Sequence, residues 1–208
     1  MTLSIRALLA ASPAIPVIRI ADASDAVPMA RALLAGGIAI AEITLRTPAA
    51  LDAIRRIAAE VPEIACGAGT ILNPRDLEAA AGAGAGFFIS PGLTPALLDE
   101  AAARALAYLP GAATSGEIMD ALDRGFDCLK FFPAAPLGTD VIKSFAGPFP
   151  QVSFCVTGGI TPGNAAEFLA LPNVSSVGAS WIVTDALLEA KDWAAIEANA
   201  RAAAGLGR

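Results

Sequence analysis

The 208-residue sequence contains no histidine. That absence removes Ser-His-Asp and Cys-His nucleophile systems, HExxH zinc sites and most transition-metal sites. Any chemistry therefore falls to Lys, Arg, Glu, Asp, Tyr, hydroxyls or backbone groups. Cysteine is nearly as scarce. Cys66, Cys128 and Cys155 are odd in number and unclustered, and each lies in an expected strand. They read as small core residues in a reducing, cytoplasmic compartment, not as a disulfide framework or a metal site. Only 16% of residues are charged, and the formal net charge is -6. This balance argues against a nucleic-acid partner or an acidic membrane surface. No apolar run is long and uninterrupted enough to span a bilayer. Residues Met1 to Ala14 read as a short amphipathic helix leading into the first strand in preference to a secretory signal.

What is present is apolar bulk, 55% of the chain, enough to bury a sizeable core. Lysine occurs three times, at Lys130, Lys143 and Lys191. The first of these stands inside Asp127-Cys-Leu-Lys-Phe-Phe-Pro133, an apolar stretch bracketed by Gly125 and Pro133 that reads as a buried strand. Alternation places Cys128, Lys130 and Phe132 on one face and Leu129 and Phe131 on the other. An amine among such neighbours loses solvation, which disfavours its charged form and frees a neutral nucleophile. The competing reading is a snorkelling or ion-paired lysine at a strand end.

Hydrophobic patterning divides the chain into eight strand–helix units. The expected strands are Pro16–Ile20, Ile38–Leu45, Ile64–Gly69, Phe87–Ser90, Ala107–Pro110, the Lys130 segment, Val152–Thr157 and Val174–Ala179. Thr47-Pro48, Asn73-Pro74, Thr94-Pro95 and Thr161-Pro162 each have the form of an N-cap followed by a first-turn proline. Thr114 and Glu117 have the spacing of a capping box, and a helix is expected over about Asp140 to Ala146. The strands are continuously apolar, as in a parallel sheet buried on both faces. Eight units with no linker between them predict a single (β/α)₈ barrel domain over residues 1–208, with a short N-terminal helix. A doubly wound open sheet is the alternative; the Gly82, Gly84, Gly86 run follows a helix, not a strand, and so supplies no dinucleotide turn.

In a barrel the loops after the strands carry the chemistry. Glu42 lies within strand two between Ala41 and Ile43, where it is either paired with Arg46 or Lys130 or serves as a proton shuttle. Arg46 stands at a helix start, a poor place for a cation, so an anionic ligand explains it better. Thr70 ends strand three but is not needed as a cap, because Asn73 fills that role. Thr157-Gly158-Gly159 and Gly178-Ala179-Ser180 follow strands seven and eight, where barrels bind phosphate through backbone amides; two tight turns needing glycine are the plainer alternative. A nucleophilic amine, an acid/base, a cation for a carboxylate and an amide nest are the equipment of a Schiff-base lyase acting on a phosphorylated keto acid. A barrel that binds a phosphorylated ligand without turnover would need the nest but gives no reason for Lys130 and Glu42.

The motifs Glu42-Ile-Thr-Leu-Arg-Thr47, Gly67-Ala-Gly-Thr70, Ile89-Ser-Pro-Gly92, Lys130-Phe-Phe-Pro133 and Thr157-Gly-Gly-Ile160 stand in one order. From about Ile15 to Trp181 the chain resembles the 2-keto-3-deoxy-6-phosphogluconate (KDPG)/4-hydroxy-2-oxoglutarate aldolases. The resemblance implies a cytoplasmic homotrimeric class I aldolase of the Entner–Doudoroff route, without cofactor or metal, releasing pyruvate and glyceraldehyde 3-phosphate from KDPG. By match to the motifs, Lys130 forms the Schiff base and Glu42 is the acid/base. Arg46 and Thr70 hold the pyruvate carboxylate, and Pro91 and Phe132 shape its pocket. Thr157 belongs to the substrate site, and Gly158, Gly159 and Ser180 take the phosphate. Three positions depart from the pattern: Ala135 replaces a frequent Glu, Val156 a frequent Pro, and Ala179 a frequent Gly.

Overall fold

The computed structural model describes residues 4–206. After an N-terminal helix, Ile5–Ala11, nine strands follow: β1 Ala14–Ile18, β2 Ile40–Thr44, β3 Ala65–Gly69, β4 Phe87–Ile89, β5 Tyr108–Leu109, β6 Gly111–Ala112, β7 Cys128–Phe131, β8 Ser153–Val156 and β9 Val174–Ala179. All pairs are parallel, in the order β5-β4-β3-β2-β1-β9-β8-β7-β6. The two ends of that order, β5 and β6, are joined through Pro110, so the sheet curls into a barrel of the TIM type.

The ninth strand is a correction with a plain cause. The expected fifth strand, Ala107–Pro110, is divided at Pro110, which has no N–H to give to a ladder. Its first half pairs with β4 (Phe88 with Tyr108, Ile89 with Leu109), and its continuation pairs with β7 (Gly111 with Lys130, Ala112 with Phe131). Across the break, the Lys130 amide donates to the Pro110 carbonyl at 2.9 Å and the Gly111 amide to Gly92 O at 3.3 Å.

Helices cover the outside, and their starts follow local side-chain chemistry where no distant group competes. Asn73 and Thr94 accept from the amides of Asp76 and Leu97, each with proline in the first turn. Thr114 and Glu117 form the expected capping box. Three helix starts differ from expectation. Thr47 donates its hydroxyl to the Ile20 carbonyl at the end of the β1 segment, and the helix begins later, at Ala50. Thr161 belongs to a turn closed by Asn164, whose Oδ1 accepts from the Thr161 amide at 2.7 Å, so the helix runs Ala165–Leu169. The helix expected from Asp140 begins at Ala134 and extends to Ser144, with a break at Gly138 (φ 79°). Pro136 falls in its first turn, where proline is tolerated.

Phe131 faces outward against Phe145 and Phe154, with ring centroids 6.2 Å away in each case and edge-to-face geometry. This outer packing fixes β7 so that its alternate residue, Lys130, is directed into the barrel. Among the described residues no helix is long and apolar enough to cross a membrane.

Candidate active site

The barrel interior is apolar except for a few polar side chains, among them Glu42, Thr44, Lys130, Thr157 and Ser176, all buried. Lys130 is 4% exposed and Glu42 2%. The amine Nζ lies 3.5 Å from Glu42 Oε1, so of the two partners open to Glu42 the structure selects Lys130, not Arg46. That separation is an ion-pair distance without a hydrogen bond, and Oε1 has no hydrogen-bond partner among the described residues. A slack buried pair contributes little to stability, since the desolvation of both groups opposes the attraction. Its uncommitted lone pairs are what a reacting proton would meet.

Glu42 has room because β3 lacks side chains beside it. Gly67 is its register partner, and Gly69 follows two residues later on the same face. A Cβ at Gly69 would collide with the Glu42 carboxylate, and one at Gly67 with the Phe87 ring. The requirement at both glycines is for space.

At the mouth, Thr70 follows β3 with φ 59°, a left-handed conformation costly for a β-branched residue. Its hydroxyl accepts from Arg46 Nε at 2.9 Å. Arg46 is exposed and makes no ion pair with a carboxylate among the described residues, which leaves the rest of its guanidinium for an external anion. Pro91 follows β4. Phe132 follows β7 with its ring centroid 5.7 Å from Lys130 Nζ, and a Cβ at Gly158 would meet that ring at 3.0 Å.

The turn after β8 has two consecutive left-handed glycines, Gly158 (φ 98°) and Gly159 (φ 73°). The carbonyls of Thr157 and Gly158 accept from the amides of Ala134 and Ala135 at 2.8 and 2.9 Å, and Gly159 O accepts from Asn164 Nδ2 at 3.1 Å. The amides of Gly158, Gly159 and Ser180 donate to no acceptor among the described residues, which suits an anion nest. Thr157 is buried, 4.0 Å from Cys155 Sγ, and occupies the space that Gly178 leaves open on β9. Arg46, Thr44 and Ser180 line one depression of about 440 Å³; Lys130 and Glu42 lie deeper and do not line it.

Several further polar groups lie in and around the site. Arg19, at the end of β1, lines the same depression and pairs with Asp185 at 3.0 Å. Its charge within the apolar stretch Pro16–Ile20 is the sequence signal for it. Ser176 lies beside Cys155, which lies beside Lys130, across three neighbouring strands. Ser90 and Tyr108 are 2.6 Å apart on the helix-facing side of the barrel wall. Nothing local in the sequence marks either arrangement. The three cysteines are free and buried. Burial pushes the thiols of Cys66 and Cys128 up to about 12 and that of Cys155 upward as well, so none supplies a thiolate nucleophile at neutral pH.

With this geometry in view, the comparisons decide the kinship. The family profile of the KDPG and KHG aldolases matches residues 5–199. The chain belongs to that family. It is 50% identical over 182 residues to a 2-dehydro-3-deoxy-phosphogluconate aldolase of Pseudoalteromonas atlantica, covering 87% of this chain and 85% of the relative. It is 48% identical over 201 residues to the KHG/KDPG aldolase of Escherichia coli K12, covering 96% and 94%. The KDPG aldolase of Legionella pneumophila, solved with pyruvate captured as a covalent carbinolamine intermediate, superposes with a TM-score of 0.96 at 42% identity, covering 99% of this chain and all of that one. The KDPG aldolase of Zymomonas mobilis ZM4, solved with 3-phosphoglycerate, gives 0.94 at 45% identity, covering 100% and 98%.

Proposed function

We propose that this family member is a class I aldolase that cleaves KDPG to pyruvate and glyceraldehyde 3-phosphate, and also acts on 4-hydroxy-2-oxoglutarate. The observation that carries the reading is the buried amine of Lys130 beside a carboxylate oxygen with no other partner. The Lys130 amine adds to the keto carbon of the substrate to form a carbinolamine, which loses water to give an iminium. Glu42 takes the proton of the substrate's C4 hydroxyl as the C3–C4 bond breaks, and the bonding electrons pass into the iminium to give an enamine. Proton return to C3 and hydrolysis release pyruvate and the free lysine.

The other roles follow the geometry. Arg46, bonded to Thr70, receives the keto-acid carboxylate, and Pro91 and Phe132 bound the pyruvate pocket. Thr157 lies at the base of the nest, and Gly158, Gly159 and Ser180 hold the phosphate. The whole chain acts as one barrel domain. Cleavage of KDPG would give the protein a place in the Entner–Doudoroff route. Free buried cysteines support a cytoplasmic setting. The family likeness supports a homotrimer.

Borohydride treatment in the presence of pyruvate tests the reading directly. Intact mass spectrometry is expected to show one adduct per chain, mapping to Lys130. An adduct on Lys143 or Lys191, or none, would overturn it. Ser180→Ala tests the phosphate end. A charge-assisted hydrogen bond contributes on the order of 1.5–3 kcal/mol, so kcat/KM for KDPG should fall about ten- to a hundredfold. 4-Hydroxy-2-oxoglutarate, which carries no phosphate, should be barely affected. An unchanged ratio of the two specificity constants would place the phosphate elsewhere.

A further inference from the structure

We infer that Tyr108 and Ser90 are positioning residues that hold Pro91 in place as a wall of the pyruvate pocket; the inference rests on the aldolase reading above. Tyr108 is the chain's one tyrosine. Its side chain and that of Ser90 are fully buried, and the two hydroxyl oxygens are 2.6 Å apart. Ser90 Oγ donates onward to Gly92 O at 2.5 Å. A serine hydroxyl has one proton, so with that proton on Gly92 O the Tyr108 hydroxyl is the donor to Ser90. Burial pushes the phenol up to about 12, and it remains a donor throughout the neutral range.

The relay ends on the backbone around Pro91. Ser90 bonds across Pro91 to Gly92, which fixes the turn between them. The same Gly92 carbonyl accepts from the Gly111 amide at 3.3 Å. Gly111 is the register partner of Lys130, and a Cβ on it would collide with the Pro91 carbonyl. Two bonds and one bare backbone contact thus set the Pro91 turn against β6, the neighbour of the strand that carries the nucleophile. Packing alone gives no reason for these hydroxyls. The Tyr108 ring lies edge-on to Phe126 at 5.5 Å, and phenylalanine would fill that space without bringing a polar group into an apolar interior.

The test uses Tyr108→Phe and Ser90→Ala in the full chain, measuring borohydride trapping of pyruvate against pyruvate concentration. A displaced wall weakens capture of pyruvate while leaving the amine and its proton chemistry in place. Tyr108→Phe is expected to raise the half-saturating pyruvate concentration about fivefold, the effect of one neutral hydrogen bond, with the maximal trapping rate little changed. Ser90→Ala, which removes both links, should raise it more. Half-saturation unchanged in both variants, whatever happens to Tm, would overturn the inference, as would a fall in maximal rate alone. If Tyr108→Phe does not fold, the Ser90→Ala value decides by itself. Wild-type protein that forms no Lys130 adduct removes the aldolase reading and this inference together. A normal wild-type adduct with unmoved half-saturation removes only the inference.

Discussion

Lys130→Met should lower KDPG cleavage by at least about a thousandfold and abolish the borohydride adduct with pyruvate, because no other group in the site can form the iminium. Methionine keeps most of the volume of the buried stem, so the packing around Phe132 survives. The charge balance does not. Glu42 would remain buried with no cation within reach, and removing one partner of a buried pair costs about 3–5 kcal/mol. Tm should therefore fall along with activity, which confuses a loss of chemistry with a loss of fold. The double variant Lys130→Met/Glu42→Gln separates them, since it removes both charges and should recover part of the lost stability. It should recover none of the activity. Cleavage within about tenfold of wild type in the folded single variant would exclude Lys130 as the nucleophile.

Glu42→Gln should reduce turnover by about a hundredfold or more, since glutamine keeps shape and hydrogen-bonding capacity but cannot accept a proton. The variant retains the amine, so pyruvate should still be trapped on Lys130, more slowly. The pattern distinguishes a proton shuttle from a structural counter-ion. A counter-ion lost from beside Lys130 would mainly lower stability and alter capture; a shuttle lost from the same place lowers the rate of bond cleavage. Cleavage at a near-normal rate would assign Glu42 the structural role. The slack 3.5 Å geometry favours the shuttle, because a carboxylate serving only to neutralise the lysine would close into a direct hydrogen bond.

Much of this site is legible in the linear sequence, for a physical reason. Lys130 and Glu42 are charges in apolar strands, and the energetic cost of that placement is visible without coordinates. The caps at Asn73, Thr94 and Thr114 are likewise legible, since each bonds an amide three residues away. What fails is whatever a distant partner decides. Thr47 has the form of a cap, but the carbonyl of Ile20, just past β1, claims its hydroxyl. Pro110 ends the expected strand in the right place, yet the pairing of the next two residues with β7 depends on barrel closure. The fit of Glu42 against Gly69 is a property of neighbouring strands, and so is the bond between Tyr108 and Ser90, eighteen residues apart. The hydrogen bond from Arg46 to Thr70, twenty-four residues apart, is likewise a property of neighbouring strands.

The division of the barrel at Pro110 bears on amide hydrogen exchange. The ladders differ in length: five register pairs join β2 to β3 and four join β7 to β8, whereas β1–β2 and β3–β4 have two each. On either side of Pro110 each neighbour is likewise held through only two. If the cylinder opens short of global unfolding, the shortest ladders release their protons first. One of those protons belongs to the backbone of Lys130, through its bond to the Pro110 carbonyl. Lys130, the proposed nucleophile, therefore also reports, through its own amide, how often its wall comes apart, and a ligand covalently bound to its side chain would slow that exchange to the extent that it keeps the wall closed.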